Sequence, residues 1–222
     1  MIITKKREFK DLMENLKNYD SFFLVGCSEC ASLCGTGGEP ELESLQETLE
    51  AEGKKVTGTL LPKTGCQTLG TKIELKKDKD ACAAADAIIV LSCGAGTQSA
   101  VEIFPDKPVY PANDTLFLGN MTRFQMFDER CSLCGECVLD KTGGICPVTA
   151  CPKGLLNGPC GGTNDGKCEV STDIECGWVR IYERMKRTGQ IGEMKKPLKP
   201  KNWSAGLKPG NLNAREKDKS KK

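Results

Sequence analysis

Fourteen cysteines and no histidine in a chain of 222 residues decide how this sequence can be read. The thiols are clustered. Cys131, Cys134, Cys137, Cys146, Cys151, Cys160, Cys168 and Cys176 fall in one short stretch that opens with C-x-x-C-x-x-C. A second group, Cys27, Cys30 and Cys34, follows an apolar run near the N-terminus, with Cys66, Cys82 and Cys93 between the two. Thiolates are soft metal ligands. Without histidine the commonest general base and the mixed Cys/His zinc sites are both missing. Iron–sulfur clusters are the leading inference.

The rest of the composition is that of an ordinary soluble protein. Lys+Arg 32 against Asp+Glu 30 gives a net charge of +2, so no nucleic acid or acidic membrane partner is expected. The opening MIITKKREFK has no apolar core of a secretory signal, and no run approaches the roughly 18 apolar residues of a membrane helix. A cytoplasmic location without membrane insertion is expected, where persistent disulfides are disfavoured. One or two domains suit the length.

Composition changes at about Met121. Before it, helix and strand patterns alternate. Phe9, Leu12, Met13 and Leu16 mark one helical face, and Ser21 to Gly26 reads as a short buried strand. Leu42, Leu45 and Leu49 repeat the helical spacing, with Pro40 in the first turn and Gly53 as a stop. Lys55 to Leu61, Asp86 to Ser92 and Lys107 to Pro111 supply three further strands. Alternation of this kind predicts an α/β fold, with a Rossmann-like parallel sheet and right-handed crossovers.

In such a sheet the carboxyl ends of the strands share one edge, where ligands bind. Cys27 lies just after the first strand, Cys66 after the second and Cys93 at the end of the third. Cys27, Cys30, Cys34, Cys66 and Cys93 are therefore expected to converge, five candidates for four ligand positions. Cys82 falls at the opposite edge and reads as a small buried hydrophobe. GAGTQS (Gly94 to Ser99) follows a strand, but it is an incomplete dinucleotide fingerprint at an unusual βα turn. Its glycines better suit a tight turn beside Cys93, with backbone N–H groups free to face an anionic cluster.

From Met121 to Gly177 regular periodicity disappears, and Gly, Pro and Cys dominate. Such a segment cannot bury an ordinary core, so its order must come from cross-links or metal. Cys131, Cys134 and Cys137 form the three-ligand arm of a ferredoxin-type [4Fe–4S] site. Cys146-Pro147 and Cys151-Pro152 have the Cys-Pro form of a further ligand, although farther along than in a simple ferredoxin. Eight cysteines match two clusters of four ligands. Zinc competes for the same thiols, but zinc ribbons show two separated C-x-x-C knuckles rather than a triple. Two to three [4Fe–4S] clusters, with zinc as the competing occupant of one site, is the resulting expectation.

Trp178, Ile181, Tyr182 and Met185 share one helical face, with Gly189 beyond it; a helix packed over the cysteine loops is the simplest account. The expected division is an α/β domain over 1–120, a Cys-rich ferredoxin-like module and helix over 121–193, and a mobile Lys-rich tail over 194–222.

Several blocks stand in a recognisable order: GCSECASLCGTGGE (Gly26 to Glu39), LSCGAGTQ (Leu91 to Gln98), RCSLCGECVLDKTGGICP (Arg130 to Pro147), ACPKGLLNGPCGGTNDGKCEV (Ala150 to Val170) and ECGW (Glu175 to Trp178). From about Phe22 to Arg187 the chain resembles the small cysteine-rich iron–sulfur subunit of methylenetetrahydrofolate reductase, a domain also found fused to reductase chains as their C-terminal part. The block Asn157-Gly158-Pro159-Cys160-Gly161-Gly162 is the most specific. The resemblance implies an electron-transfer subunit that serves the flavin of a catalytic reductase partner in one-carbon metabolism, with ferredoxin or another low-potential donor upstream. Cys82 falls outside the shared pattern. A zinc-stabilised docking subunit without redox role, and an enzyme acting on a small thiol through the N-terminal cysteines, are the two rival readings.

Overall fold

The computed structural model describes residues 1–213, so the final AREKDKSKK of the Lys-rich tail lies outside the described residues. Two compact units are present, Met1–Glu129 and Arg130–Lys222.

The first unit is an α/β structure. Its elements run β1 (Ile2–Lys6), α1 (Phe9–Leu16), β2 (Ser21–Val25), α2 (Cys30–Leu33), α3 (Glu39–Ala51), β3 (Lys55–Leu60), α4 (Thr68–Glu74), α5 (Lys79–Ala84), β4 (Ala87–Val90), α6 (Gly94–Ile103), β5 (Val109–Pro111), β6 (Asn113–Arg123) and β7 (Met126–Cys131). Strands β3, β2, β4 and β5 lie in that order and are parallel throughout. A parallel sheet is covered on both faces, so its central strands are apolar on both sides. Phe22, Phe23, Leu24, Ile88 and Ile89 are accordingly all fully buried.

The pleat divides that run between two cores. Phe22, Leu24, Ala87 and Ile89 face Leu12 and Leu16 of α1 and Leu42 and Leu49 of α3. Phe23, Val25, Ile88 and Val90 face Cys82 of α5 and Ala100 and Phe104 near the end of α6. Helix α3 starts where the Gly38 amide donates to the Glu41 carboxylate at 2.8 Å, half of a capping box. It stops before Gly53, whose φ of +76° ends the run.

The periodicity of residues 9–111 predicted α1, α3 and the four parallel strands, whereas the short helices α2, α4 and α5 were not anticipated. The second sheet was not anticipated. Strands β1, β6 and β7 form an antiparallel sheet in that order, with Ile3 opposite Phe117. Its strands are half polar, and β1 is only five residues long, so neither gave a strong periodic signal. This sheet carries the first unit to Glu129, past the change in composition near Met121.

The second unit holds α7 (Pro147–Ala150), the two-stranded antiparallel pair β8 (Lys167–Cys168) and β9 (Ser171–Glu175), and α8 (Gly177–Arg187). Its small apolar core is Trp178, Ile181 and Met185 of α8, with Ile145, Cys151, Leu155, Cys176 and Met194 packed around them. Tyr182, expected on that face, is 43% exposed. At 100° per residue it falls at the margin of the stripe centred on Met185.

Candidate metal centres

In the first unit the sheet topology assembles a thiol group. The order β3-β2-β4-β5 reverses direction between β2 and β4, and the crevice at such a switch point is where open sheets bind ligands. Cys27 follows β2, Cys66 lies in the loop after β3, and Cys93 caps the start of α6 after β4. Cys27 is buried, Cys30, Cys34 and Cys93 are half-buried, and Cys66 is exposed. Burial pushes the Cys66 thiol up, and the charges of Cys93, Cys27 and Cys30 push it further. Cys93, Cys27 and Cys30 are thus each within electrostatic reach of Cys66. Cys34 stays beside Cys30, since its thiol donates to the carbonyl of Ile2, the residue whose amide faces Cys30, at 3.8 Å.

Backbone amides face two of these sulfurs. Gly65 N–H donates to Cys27 Sγ at 3.4 Å, and Ile2 N–H donates to Cys30 Sγ at the same distance. Strand β1 therefore takes part in the site. Close backbone approach also explains the glycines. A Cβ on Gly37 would lie 1.7 Å from the Leu91 carbonyl oxygen, and one on Gly96 would lie 2.4 Å from Ser92 Oγ. The second contact gives Gly96, though not Gly94, of GAGTQS a packing reason. Cys82 sits in the apolar core on the far side, 5% exposed, with its thiol pushed up to about 12 by burial and then by Asp78.

In the second unit the C-x-x-C-x-x-C loop begins at the end of β7. Leu133 takes a left-handed φ of +56° and Gly135 one of +80°, which curls the chain so that Leu133 N–H donates to Cys131 Sγ at 3.4 Å. The same i to i+2 bond recurs later in the module, from Gly162 N–H to Cys160 Sγ at 3.4 Å. That bond draws the Cys160 thiol down, with Lys153 adding to it. Thr149 on α7 donates to the Arg130 carbonyl at 3.3 Å and ties the Cys146–Cys151 turn to the first cysteine loop. A Cβ on Gly177 would meet the Ala150 carbonyl at 2.5 Å, so Cys176 and Cys151 are held at one backbone crossing. Cys168 lies in β8, opposite Ser171 of β9. Cys131, Cys137 and Cys160 are exposed, and Cys134, Cys146, Cys151, Cys168 and Cys176 are half-buried.

Among the described residues, no group of three or more Cys, Asp or Glu side chains is drawn in to the separation that one ion requires. What the structure does present is a donor set of thiols alone, several with amides directed at sulfur. That chemistry fits thiolate-ligated iron–sulfur groups, whose sulfurs accept backbone N–H bonds.

An α/β unit followed by a compact cysteine module defines the class of protein. Residues 110–204 are similar to the family described as methylene-tetrahydrofolate reductase C terminal. The match spans every cysteine from Cys131 to Cys176, whereas Cys27 to Cys93 lie before it. No curated protein and no solved structure matches the chain. Among the described residues, no helix is long and apolar enough to cross a membrane.

Proposed function

We propose that this chain is the iron–sulfur electron-transfer subunit of a methylenetetrahydrofolate reductase complex. The observation that carries the reading is the cysteine module itself. It lies within a segment similar to a reductase C-terminal family, and two of its loops turn backbone amides onto Cys131 and Cys160.

On this reading Cys131, Cys134, Cys137, Cys146, Cys151, Cys160, Cys168 and Cys176 hold two [4Fe–4S] clusters. Cys27, Cys30, Cys34, Cys66 and Cys93 supply a further site for a cluster or zinc, five thiols for four ligand positions. Bound clusters supply single electrons, and a partner's flavin combines two of them with a proton into the hydride equivalent that the folate substrate needs. The chain's own residues hold the clusters, direct amides at the ligand sulfurs and leave cysteine loops at the surface, where a redox partner can approach. Ferredoxin or another low-potential carrier is the donor and the flavin-containing reductase the acceptor.

The rival is a zinc-stabilised docking subunit. The Cys131–Leu133 turn favours it, since the same knuckle geometry serves zinc. Anaerobic mixing separates the two. The chain is reduced with dithionite, desalted and added to a flavin-loaded methylenetetrahydrofolate reductase. Bleaching of the flavin in proportion to the chain added supports electron transfer; an unchanged flavin spectrum with complex formation intact rejects it.

A further inference from the structure

The segment after α8 closes back over the first cysteine loop, and its contacts are specific. Leu198 N–H donates to the Asn157 side-chain oxygen at 2.7 Å, and Asn202 N–H donates to the Glu136 carboxylate at 2.6 Å. The Lys201 ammonium donates to the Glu136 carbonyl. Beyond it, the turn Trp203–Gly206 lies on the loop itself. A Cβ on Gly135 would be 2.4 Å from the Ala205 backbone, and one on Gly206 would be 3.0 Å from the Cys134 carbonyl carbon. Two backbones meet there with no room for a side chain on either. Lys201 is also placed from above, 5.4 Å from the centre of the Trp203 ring, within cation–π range.

This geometry brings one charge to one sulfur. The Cys134 sulfur is itself 3.7 Å from the Glu136 carbonyl to which Lys201 donates.

We propose that residues 196–206 form a strap over the cysteine loop, and that Lys201 on it raises the reduction potential of the cluster held by Cys131, Cys134 and Cys137. The inference rests on the iron–sulfur reading above. One-electron reduction makes a cluster and its thiolates more negative by one charge. A fixed ammonium against a ligand sulfur favours that reduced form, and net charge and hydrogen bonds at sulfur are the terms that set such potentials. Main-chain bonds on both sides of Lys201 fix the strap, and the ammonium is held on the Glu136 carbonyl that the Cys134 sulfur also approaches, rather than left on a free side chain.

The test is an EPR-monitored potentiometric titration of the full chain, purified anaerobically and reduced stepwise by dithionite with mediator dyes at low salt. Lys201→Gln should shift one cluster midpoint to a more negative value at unchanged iron content. Lys201→Arg should restore it, and Lys199→Gln, which removes the same charge two residues away, should leave it at the wild-type value. An unmoved midpoint in Lys201→Gln, an equal shift in Lys199→Gln, or loss of iron from Lys201→Gln would overturn the proposal. A wild-type chain with no reducible signal would instead remove the functional reading beneath it.

Discussion

The backbone amide of Gly65 donates to the sulfur of Cys27 across 3.4 Å, although the two lie 38 positions apart. The loops that follow two neighbouring parallel strands therefore close on one another, and the N-terminal thiol group is a product of sheet topology. Gly37 completes that closure, because its carbonyl accepts from the Cys27 amide at 2.8 Å.

Gly37→Ala tests that closure. The added methyl would stand 1.7 Å from the Leu91 carbonyl oxygen, and a backbone atom at a strand end cannot move aside cheaply. Overpacking of this kind costs about 1–3 kcal/mol. The expected outcome is a lowered thermal midpoint together with loss of the metal bound through Cys27, read by metal analysis of the purified variant.

Cys82→Ala should behave differently. Its side chain fills an apolar site among Phe23, Val25 and Ile88, so substitution should cost roughly 1 kcal/mol in lost burial with iron and zinc unchanged. The thiol also predicts a pH dependence. Its folded value is raised from the ordinary 9.0 to about 12, so its contribution to stability is whole below pH 9 and is lost as pH climbs from there. The slope is at most about 1.4 kcal/mol per pH unit. Denaturant midpoints of wild type and Cys82→Ala should converge between pH 9 and pH 11; parallel curves would contradict the assignment.

Asp86 joins the starts of β2 and β4. Its carboxylate accepts from the Ser21 hydroxyl at 2.8 Å and from the Ser21 and Asp20 amides at 2.9 and 3.1 Å. Those bonds, the Ser21 hydroxyl first, hold it below the ordinary carboxylate value. A lowered value makes the contribution present above the unfolded pKa and lost as pH falls through the folded one. Asp86→Asn should be less stable at pH 7 and approach wild type as pH falls below the ordinary carboxylate value of 3.8, followed by urea midpoints.

Trp178→Phe isolates one polar contact of the second unit. The indole N–H donates to the Leu155 carbonyl at 3.0 Å, and phenylalanine leaves that acceptor without its partner. The expected loss is about 1 kcal/mol, seen as a lower thermal midpoint with metal content retained.

How much of this was readable in the sequence depended on periodicity. The apolar runs of β2 and β4 are buried on both faces, and the helical spacing of Leu42, Leu45 and Leu49 is plain, so the parallel sheet followed. Strand β1 and the β6–β7 pair are half polar and lie far apart in sequence, so neither gave a comparable signal. The consequence is that Ile2 beside Cys30 was missed. Cysteine spacing named every thiol described above, but it could not show that Cys30 and Cys34 both rest on the main chain of Ile2. Lys201 had no local signal. It lay in a run of Lys, Pro and Gly that reads as tail, and its contact with the cysteine loop depends on Glu136 and Asn157, residues far earlier in the chain.

The central claim is tested most directly by iron, zinc and acid-labile sulfide per chain on anaerobically purified protein, with EPR after dithionite reduction. About eight or more irons with matching sulfide and a reduced-cluster signal are expected from two or three [4Fe–4S] groups. Zinc alone, without sulfide or signal, would contradict the account and leave a structural metal scaffold in its place.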